Sequence, residues 1–355
     1  MVKENFREYD IVIFGASACV GHSVIEEMIN CMEAAEIKWA IAGRNYKNLK
    51  EALVTVQNYS GNKIDITNIP IIVADVENSS SIIEMCKRTK LLLNCVGPYN
   101  ECGGEEIVSA CIECKTHCID LIQACGIGSL PEDYAIEFLM QKFPGGLNSV
   151  EFYQEFFDGP HGKTIGYGTF ISILNSLRDY FNSSKFEREV QEKVFNKKPK
   201  KMKFPLKFGW IPMLYSWKEK AWCIKNMGPD VRNIRRSQMF RANYTDNGSL
   251  IDVQGYLKLP SLMKGLFYAY VFFLCLFTVF GFGKSLLMKR QTFFLEPAYP
   301  FTAKCMVQSG LTLLKEQDKM PLKGGVLTPG VAFGKTTIQK RLEKSGVTFK
   351  LEDIS

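Results

Sequence analysis

The chain has 355 residues, 46% of them hydrophobic and 23% charged, with a formal net charge of +7. These totals exclude a disordered chain and a polytopic membrane protein, and the length gives room for two modest domains. Much of the positive charge sits in Asn196–Lys203 (NKKPKKMK), which reads as a solvated linker or a patch facing anionic surfaces; no motif accompanies it that would suit nucleic acid.

Met1 to Asp10 is polar, so no signal peptide is read at the start. The first apolar run, Ile11–Phe14, closes at Gly15 and is of strand length. A helical pattern follows from Val20 to about Ala35, with Val24, Ile25, Met28 and Met32 on one face. Trp39–Ala42 is the second strand, closed by Gly43, and Asn48–Val56 the second helix. Ile71–Ala74 is the third strand, followed by a helix over Ser79–Cys86 capped by its serine run. Leu91–Cys95, the helix Glu105–Cys114 and the strand Cys118–Leu121 complete the series. Short, wholly apolar strands alternating with helices specify an α/β fold with a parallel sheet covered on both faces. The expected Rossmann-type dinucleotide-binding domain spans residues 8–125.

Beyond it the rhythm stops. Glu132–Lys142 is helical and Phe143-Pro-Gly-Gly146 a break; Val150–Phe157 alternates like a strand, Phe170–Tyr180 looks helical, and Ile251–Tyr256 is β-like in an otherwise unreadable stretch from 204 to 256. Residues 126–262 are therefore expected to form a second, smaller α+β domain. Gly265 to Gly283 is a charge-free run of 19 residues bracketed by Lys264 and Lys284. A helix of that length would be about 28 Å long, close to a hydrocarbon core. Residues 263–290 are read as one hydrophobic membrane-contacting helix, and 291–355, with a helix near Thr302–Lys315, as a segment packing back on the body.

The residues that carry chemistry cluster at strand ends. Gly15-Ala-Ser-Ala-Cys-Val-Gly21 joins the first strand to the first helix. Gly15 permits a tight exit, Gly21 a close helix, and the helix start offers amides and a positive dipole end to a diphosphate. Ala18 replaces the central glycine of the usual pattern and narrows the approach; Ser17, Cys19 and Val20 complete the loop. Arg44, after the second strand, suits the 2′-phosphate of NADP rather than the 2′-hydroxyl of NAD, which remains the alternative cofactor; its other reading is a solvated loop arginine. Asp75 could reach an adenine edge or merely shape a turn. Asn94, Gly97, Pro98 and Tyr99 follow the fourth strand, where such sheets bind ligands. No catalytic residue can be assigned: no Tyr-x-x-x-Lys pair is suitably placed, and only Tyr99 and His161 are candidates. His22, at the helix start, suits phosphate or solvent. The chain has 12 cysteines, of which Cys111, Cys114 and Cys118 lie near His117 in a spacing superficially like a zinc site. No fourth ligand follows, so core packing is expected and no metal.

Five blocks together resemble the saccharopine dehydrogenase-like oxidoreductases: Ile13–Ser17 with Gly21, Trp39–Arg44, Leu92–Tyr99, Ala110–Ile112 with Cys118–Asp120, and Gly324–Phe333. The resemblance implies a Rossmann domain, a second α+β domain, a hydrophobic segment near 265–283, association with lipid droplets and other membranes, and a role in glycolipid metabolism. The chain departs from the family at Ala18, after Asp120, where a helix and a strand are missing, and between about Phe294 and Pro300. The expected function is an NAD(P)-dependent oxidoreductase acting on a lipid-like small molecule at a lipid-droplet or membrane surface facing the cytosol. The alternative is a non-catalytic lipid-droplet-associated protein that keeps the Rossmann scaffold. True saccharopine metabolism is disfavoured, because it needs no lipid anchor.

Overall fold

A computed structural model describes residues 6–60, 66, 68–97, 102–120, 125–126, 128–155, 189, 192–195, 213–226, 228–244, 251–259, 261–262, 265–266, 298–322 and 324–350. The chain divides into two units, the first built from Met1–Pro131 and Ala298–Ser355, the second from Glu132–Pro297.

The first unit alternates as the sequence predicts: β1 (Tyr9–Phe14), α1 (Cys19–Asn30), β2 (Trp39–Gly43), α2 (Tyr46–Tyr59), β3 (Ile71–Val73), α3 (Ser79–Arg88), β4 (Thr89–Asn94), α4 (Gly104–Cys114) and β5 (His117–Asp120). The five strands form one parallel sheet in the order β3-β2-β1-β4-β5. Because β1 is central, its side chains are buried on both faces, and only an unbroken apolar run satisfies that position. Ile11, Val12 and Ile13 are accordingly inaccessible to solvent. Val12 and Phe14 join Met85, Cys86, Ile107 and Cys111 of α3 and α4 in one cluster.

Two local expectations are corrected. The first helix ends at Asn30, before a short 3-10 turn at Met32–Ala34, rather than running to Ala35. The cap of α3 is Asn78, whose side chain accepts from the Ser81 amide, and not the serine run itself. Asn caps more effectively than an internal serine because it stands one residue outside the helix, where its oxygen faces the first turn.

After the second unit, α7 (Ala298–Lys315) returns to pack on α1 and against β4 and β5. Gln308 Nε2 donates to Glu27 Oε1 at 3.4 Å, and Lys315 pairs with Glu33 at 3.0 Å. Two short helices, α8 (Pro329–Phe333) and α9 (Ile338–Lys344), complete the segment, and Arg341 of α9 also binds Glu33.

The second unit begins with α5 (Leu130–Lys142), which shares its first two residues with the first, and contains a mixed sheet in the order β6-β9-β8-β7. Strand β6 (Ser149–Gln154) pairs parallel with β9 (Asp252–Leu259), while β7 (Met213–Ser216), β8 (Ala221–Lys225) and β9 are antiparallel. Helix α6 (Asp230–Tyr244) contributes Ile234 to a small core with Ile136, Ile251 and Val253. The hairpin and α6 lie in the stretch the sequence left unread. An α/β architecture with a parallel Rossmann-like sheet and a second, smaller sheet is thus present.

The hydrophobic segment expected at 263–290 lies almost wholly outside the described residues, as do the helix expected at 170–180, Tyr99 and His161. Among the described residues, no helix is long and apolar enough to cross a membrane.

Candidate functional site

All five parallel strands end on the same edge, and most of the residues singled out from the sequence gather there. Phe14 stands in register with Ala42 on one side and Asn94 on the other, and Asn94 with Asp120. The β1–α1 turn therefore sits at the middle of the edge.

Backbone hydrogen bonds hold the turn. Gly15 and Ala16 donate their amides to the Ala42 carbonyl at 3.0 and 3.2 Å, and the Ala18 amide donates to the Gly15 carbonyl at 3.0 Å. Gly15 has φ +79°, a conformation a side chain would oppose, and a Cβ there would stand 2.9 Å from the Val96 amide nitrogen. At Gly21 a Cβ would lie 2.5 Å from the Gly15 carbonyl oxygen and 2.6 Å from Ala16 Cα. Gly21 is fixed by the closeness of α1 to the β1 turn, and Gly15 by its positive φ and the chain leaving β4.

The start of α1 differs from those of α2 and α3. At α2, Asn45 accepts from the amides of Lys47 and Asn48 at 2.9 and 3.2 Å. At α3, Asn78 serves the Ser81 amide. At α1 the capping position is Ala18, extended at φ −79° and ψ 159°, with no side-chain cap. The first bond into the helix runs from the His22 amide to the Ala18 carbonyl at 3.0 Å, so the amides of Cys19, Val20 and Gly21 precede it and have no acceptor in the helix. Ser17, Ala18 and Cys19 are exposed, while Val20 and Gly21 are buried. The crest is therefore open to an anion, and the Ala18 methyl points no polar group at it. His22 is half-buried, and burial lowers its imidazole pKa, which favours the neutral ring.

Arg44 follows β2 at the same edge, exposed, and makes no ion pair with any described residue. Asp75 is committed to a turn: its Oδ1 accepts from the Glu77 amide at 3.2 Å, and Ser81 Oγ exchanges hydrogen bonds with its backbone. Asn94 is wholly buried, its Oδ1 accepting from the Val96 amide at 3.1 Å and its Nδ2 reaching Asp120 Oδ2 at 3.5 Å. Asn94 thus shapes the loop from inside, and Gly97 is the exposed residue beyond it. The sequence could not separate these roles, because each side chain follows a strand in the same way.

Of the cysteines near His117, Cys111 is buried in the core, and Cys114 and Cys118 are partly buried against it. Cys86 and Cys111 are buried with their sulfurs 3.7 Å apart. Mutual hydrogen bonding and burial push the Cys86 thiol well up, and hydrogen bonding to Cys118 does the same for Cys111, so both stay protonated. His117 faces Gln317 at 3.1 Å. Among the described residues no three His, Cys, Asp or Glu side chains are grouped to hold a metal ion.

A second group was not foreseen. In the second unit, Gln154 Nε2 donates to Glu132 Oε1 at 2.5 Å, and Asn226 Nδ2 lies 2.6 Å from both Gln154 Oε1 and Asp230 Oδ2. Glu132 Oε2 and Asp230 Oδ1 are buried with no hydrogen-bond partner among the described residues. Burial, and then the nearby Asp230 carboxylate, raise the Glu132 carboxyl to about 7. Glu132 lies in a helix recognisable from sequence, but its partners come from three distant elements, so no local signal marked it.

Residues 11–140 match the profile of the saccharopine dehydrogenase NADP binding domain. The chain is 29% identical to a saccharopine dehydrogenase-like oxidoreductase from Homo sapiens, over 97% of each chain. It is 25% identical to a lipid droplet localized protein from Caenorhabditis elegans, over 97% of this chain and 98% of that one. The human alignment runs over 428 positions against 355 residues here, so that relative carries segments this sequence lacks. Among solved structures, an apo saccharopine dehydrogenase (L-Glu forming) from Saccharomyces cerevisiae aligns at 17% identity and a TM-score of 0.33, covering 48% of this chain and 41% of that one. The resemblance to the saccharopine dehydrogenase-like oxidoreductases therefore extends over nearly the whole chain, and the expected cofactor, NADP, is the one its N-terminal domain family is named for.

Proposed function

We propose that the chain is an NADP-dependent oxidoreductase that acts on a lipid-like small molecule at a lipid-droplet or membrane surface, from the cytosolic side. The observation that carries the reading is the start of α1, where three amides without an acceptor in the helix stand beside an exposed, uncapped Ala18 at the centre of the sheet edge. Helices α2 and α3 place an asparagine at the same position; leaving it bare costs helix stability unless a ligand supplies the acceptor. The amides of Cys19, Val20 and Gly21, with the hydroxyl of Ser17, would hold the diphosphate, and Gly15 and Gly21 keep the cradle free of side chains. Arg44 would pair with the 2′-phosphate. Asn94 and Asp75 would set the shape of the flanking loops, with Gly97 leaving room beside the nicotinamide half. NADPH, when bound, supplies the hydride.

The surface assignment draws on the charge-free run from Gly265 to Gly283 and on the worm relative's name. Helix α7 follows that run and packs on α1, which precedes it, so both flanks belong on one side of a bilayer. A shallow, monotopic insertion meets that requirement and a span does not.

The test is titration of the full-length protein with NADPH and, separately, NADH, for wild type beside Arg44→Ala, read by tryptophan fluorescence. Losing one charge-assisted phosphate contact should weaken NADPH binding by about 1.5–3 kcal/mol and leave NADH unchanged. Equal NADPH affinity in both proteins would make Arg44 a surface residue, and no binding by wild type would remove the enzymatic reading. A second reading, a non-catalytic lipid-droplet-associated protein, is favoured by the segments the chain lacks relative to its human relative. NADPH binding without NADPH oxidation across a panel of lipid carbonyls would select it.

A further inference from the structure

We propose that the β7–β8 hairpin is an interfacial finger that rests its tip among the headgroups of an anionic phospholipid surface. This deepens the surface reading above and rests on it.

The hairpin tip is Trp217-Lys218-Glu219-Lys220. Trp217 is 84% exposed, an unusual place for the residue with the largest apolar area. It is not loose: the Tyr215 ring meets Trp217 edge-to-face with centroids 5.0 Å apart and Trp222 likewise at 5.4 Å. The turn itself is fixed, with Lys220 at φ +48° and the Glu219 amide donating to Ser216 Oγ at 3.3 Å. A rigid, solvent-facing indole on an aromatic base differs from a single stray apolar side chain.

Charge sorts to match. The one acidic residue of the tip, Glu219, is drawn back to Lys258 of β9 at 3.5 Å. Lys218 and Lys220 are left exposed on either side of it, with Lys225 exposed further along β8. An indole ringed by lysines is the composition that settles at a membrane–water boundary, where the ring takes the headgroup level and the ammonium groups meet anionic lipid.

The same face leads to the charge-free run. Register places Met213 opposite Ile224 and Tyr215 opposite Trp222, so these four share one face of the sheet. Gly265, the first residue of the run, sits against that face: a Cβ on it would be 2.5 Å from Met213 Sδ and 2.9 Å from Leu259 Cδ1. Leu262 and Leu266 are 40% and 52% exposed beside it. Strand β7 is also the sheet's edge. The aromatic tip, the lysines and the entry to the apolar run thus belong to one margin of the second unit.

The test uses the full-length protein with phosphatidylcholine vesicles containing phosphatidylserine, with and without bromine on the acyl chains near the headgroups. Readouts are co-flotation and quenching of tryptophan fluorescence. Wild type should float and be quenched. Trp217→Phe should float but lose much of the quenching, and Trp217→Ala with Lys218→Gln and Lys220→Gln should partition about tenfold more weakly. NADPH affinity and circular dichroism, unchanged in the variants, exclude misfolding. If wild type floats and all variants match it in flotation and quenching, the hairpin idea is overturned while the wider surface reading stands. If wild type does not float, both fall. Loss of a dimer on Trp217→Ala, seen by sedimentation without lipid, would also overturn the finger by assigning the tip to a second copy.

Discussion

The two sheets of this protein solve the burial problem in opposite ways. The parallel sheet fills its interior with largely apolar strands, and at its carboxyl edge the start of α1 carries no side-chain cap. Of the buried charged residues described, the first unit holds only Glu316, while the second holds Asp133, Asp230 and Asp252. Around the mixed sheet, amides of Gln154 and Asn226 relay between the carboxyls of Glu132 and Asp230. A core of the first kind is insensitive to pH and intolerant of added volume; one of the second kind tolerates shape change better than it tolerates charge.

The hardest way to break the first sheet is to add atoms where helix meets strand. Gly21→Val would drive a side chain into the backbone of Gly15 and Ala16, which cannot retreat without moving β1. A loss of about 3 kcal/mol in the denaturant stability of the first unit is expected. An unchanged midpoint would show that α1 has slack.

The second sheet should respond to protons instead. The folded-state value of Glu132, about 7, lies above the ordinary carboxylate range, so the folded form keeps a proton that the unfolded chain has released. The stability this confers is complete below that ordinary range and fades as pH rises through about 7. Asp230, raised chiefly by burial, acts in the same direction. Glu132→Gln, neutral at every pH, should flatten the profile and gain roughly 1–2 kcal/mol in alkaline solution relative to wild type. The check is a pair of urea unfolding curves on either side of neutrality, and a mutant profile as steep as wild type would refute the assignment.

The smallest effects sharpen the contrast within the first unit. Asn45→Ala removes the cap of α2 and should cost about 1 kcal/mol. Ala18→Asn adds a cap to α1 and should stabilise the ligand-free protein by about 0.5–1 kcal/mol while weakening NADPH, whose diphosphate would compete with the new side chain. Stabilisation without any loss of NADPH affinity would mean that the open amides are not used by the ligand.

The sequence by itself determined the first sheet and the position of its open edge. Runs such as Ile11–Phe14 and Leu91–Leu93 are apolar at every residue, a pattern with few solutions except a strand buried on two faces, and Gly15 and Gly21 report a backbone too close for a side chain. Only the tertiary structure decided that Ala18 leaves a helix uncapped, that Asn94 turns inward while Arg44 stays out, and that Glu132 meets Asp230 through two amides. The second sheet was legible only in part, as strand-like stretches at Val150–Phe157 and Ile251–Tyr256, and its hairpin was missed for the same reason. Its strands mix with polar residues such as Gln154, Asp252 and Gln254, which become acceptable in a core only when partners from remote segments arrive. Periodicity records which face of a segment is apolar; it carries no record of the distant group that will satisfy a buried charge.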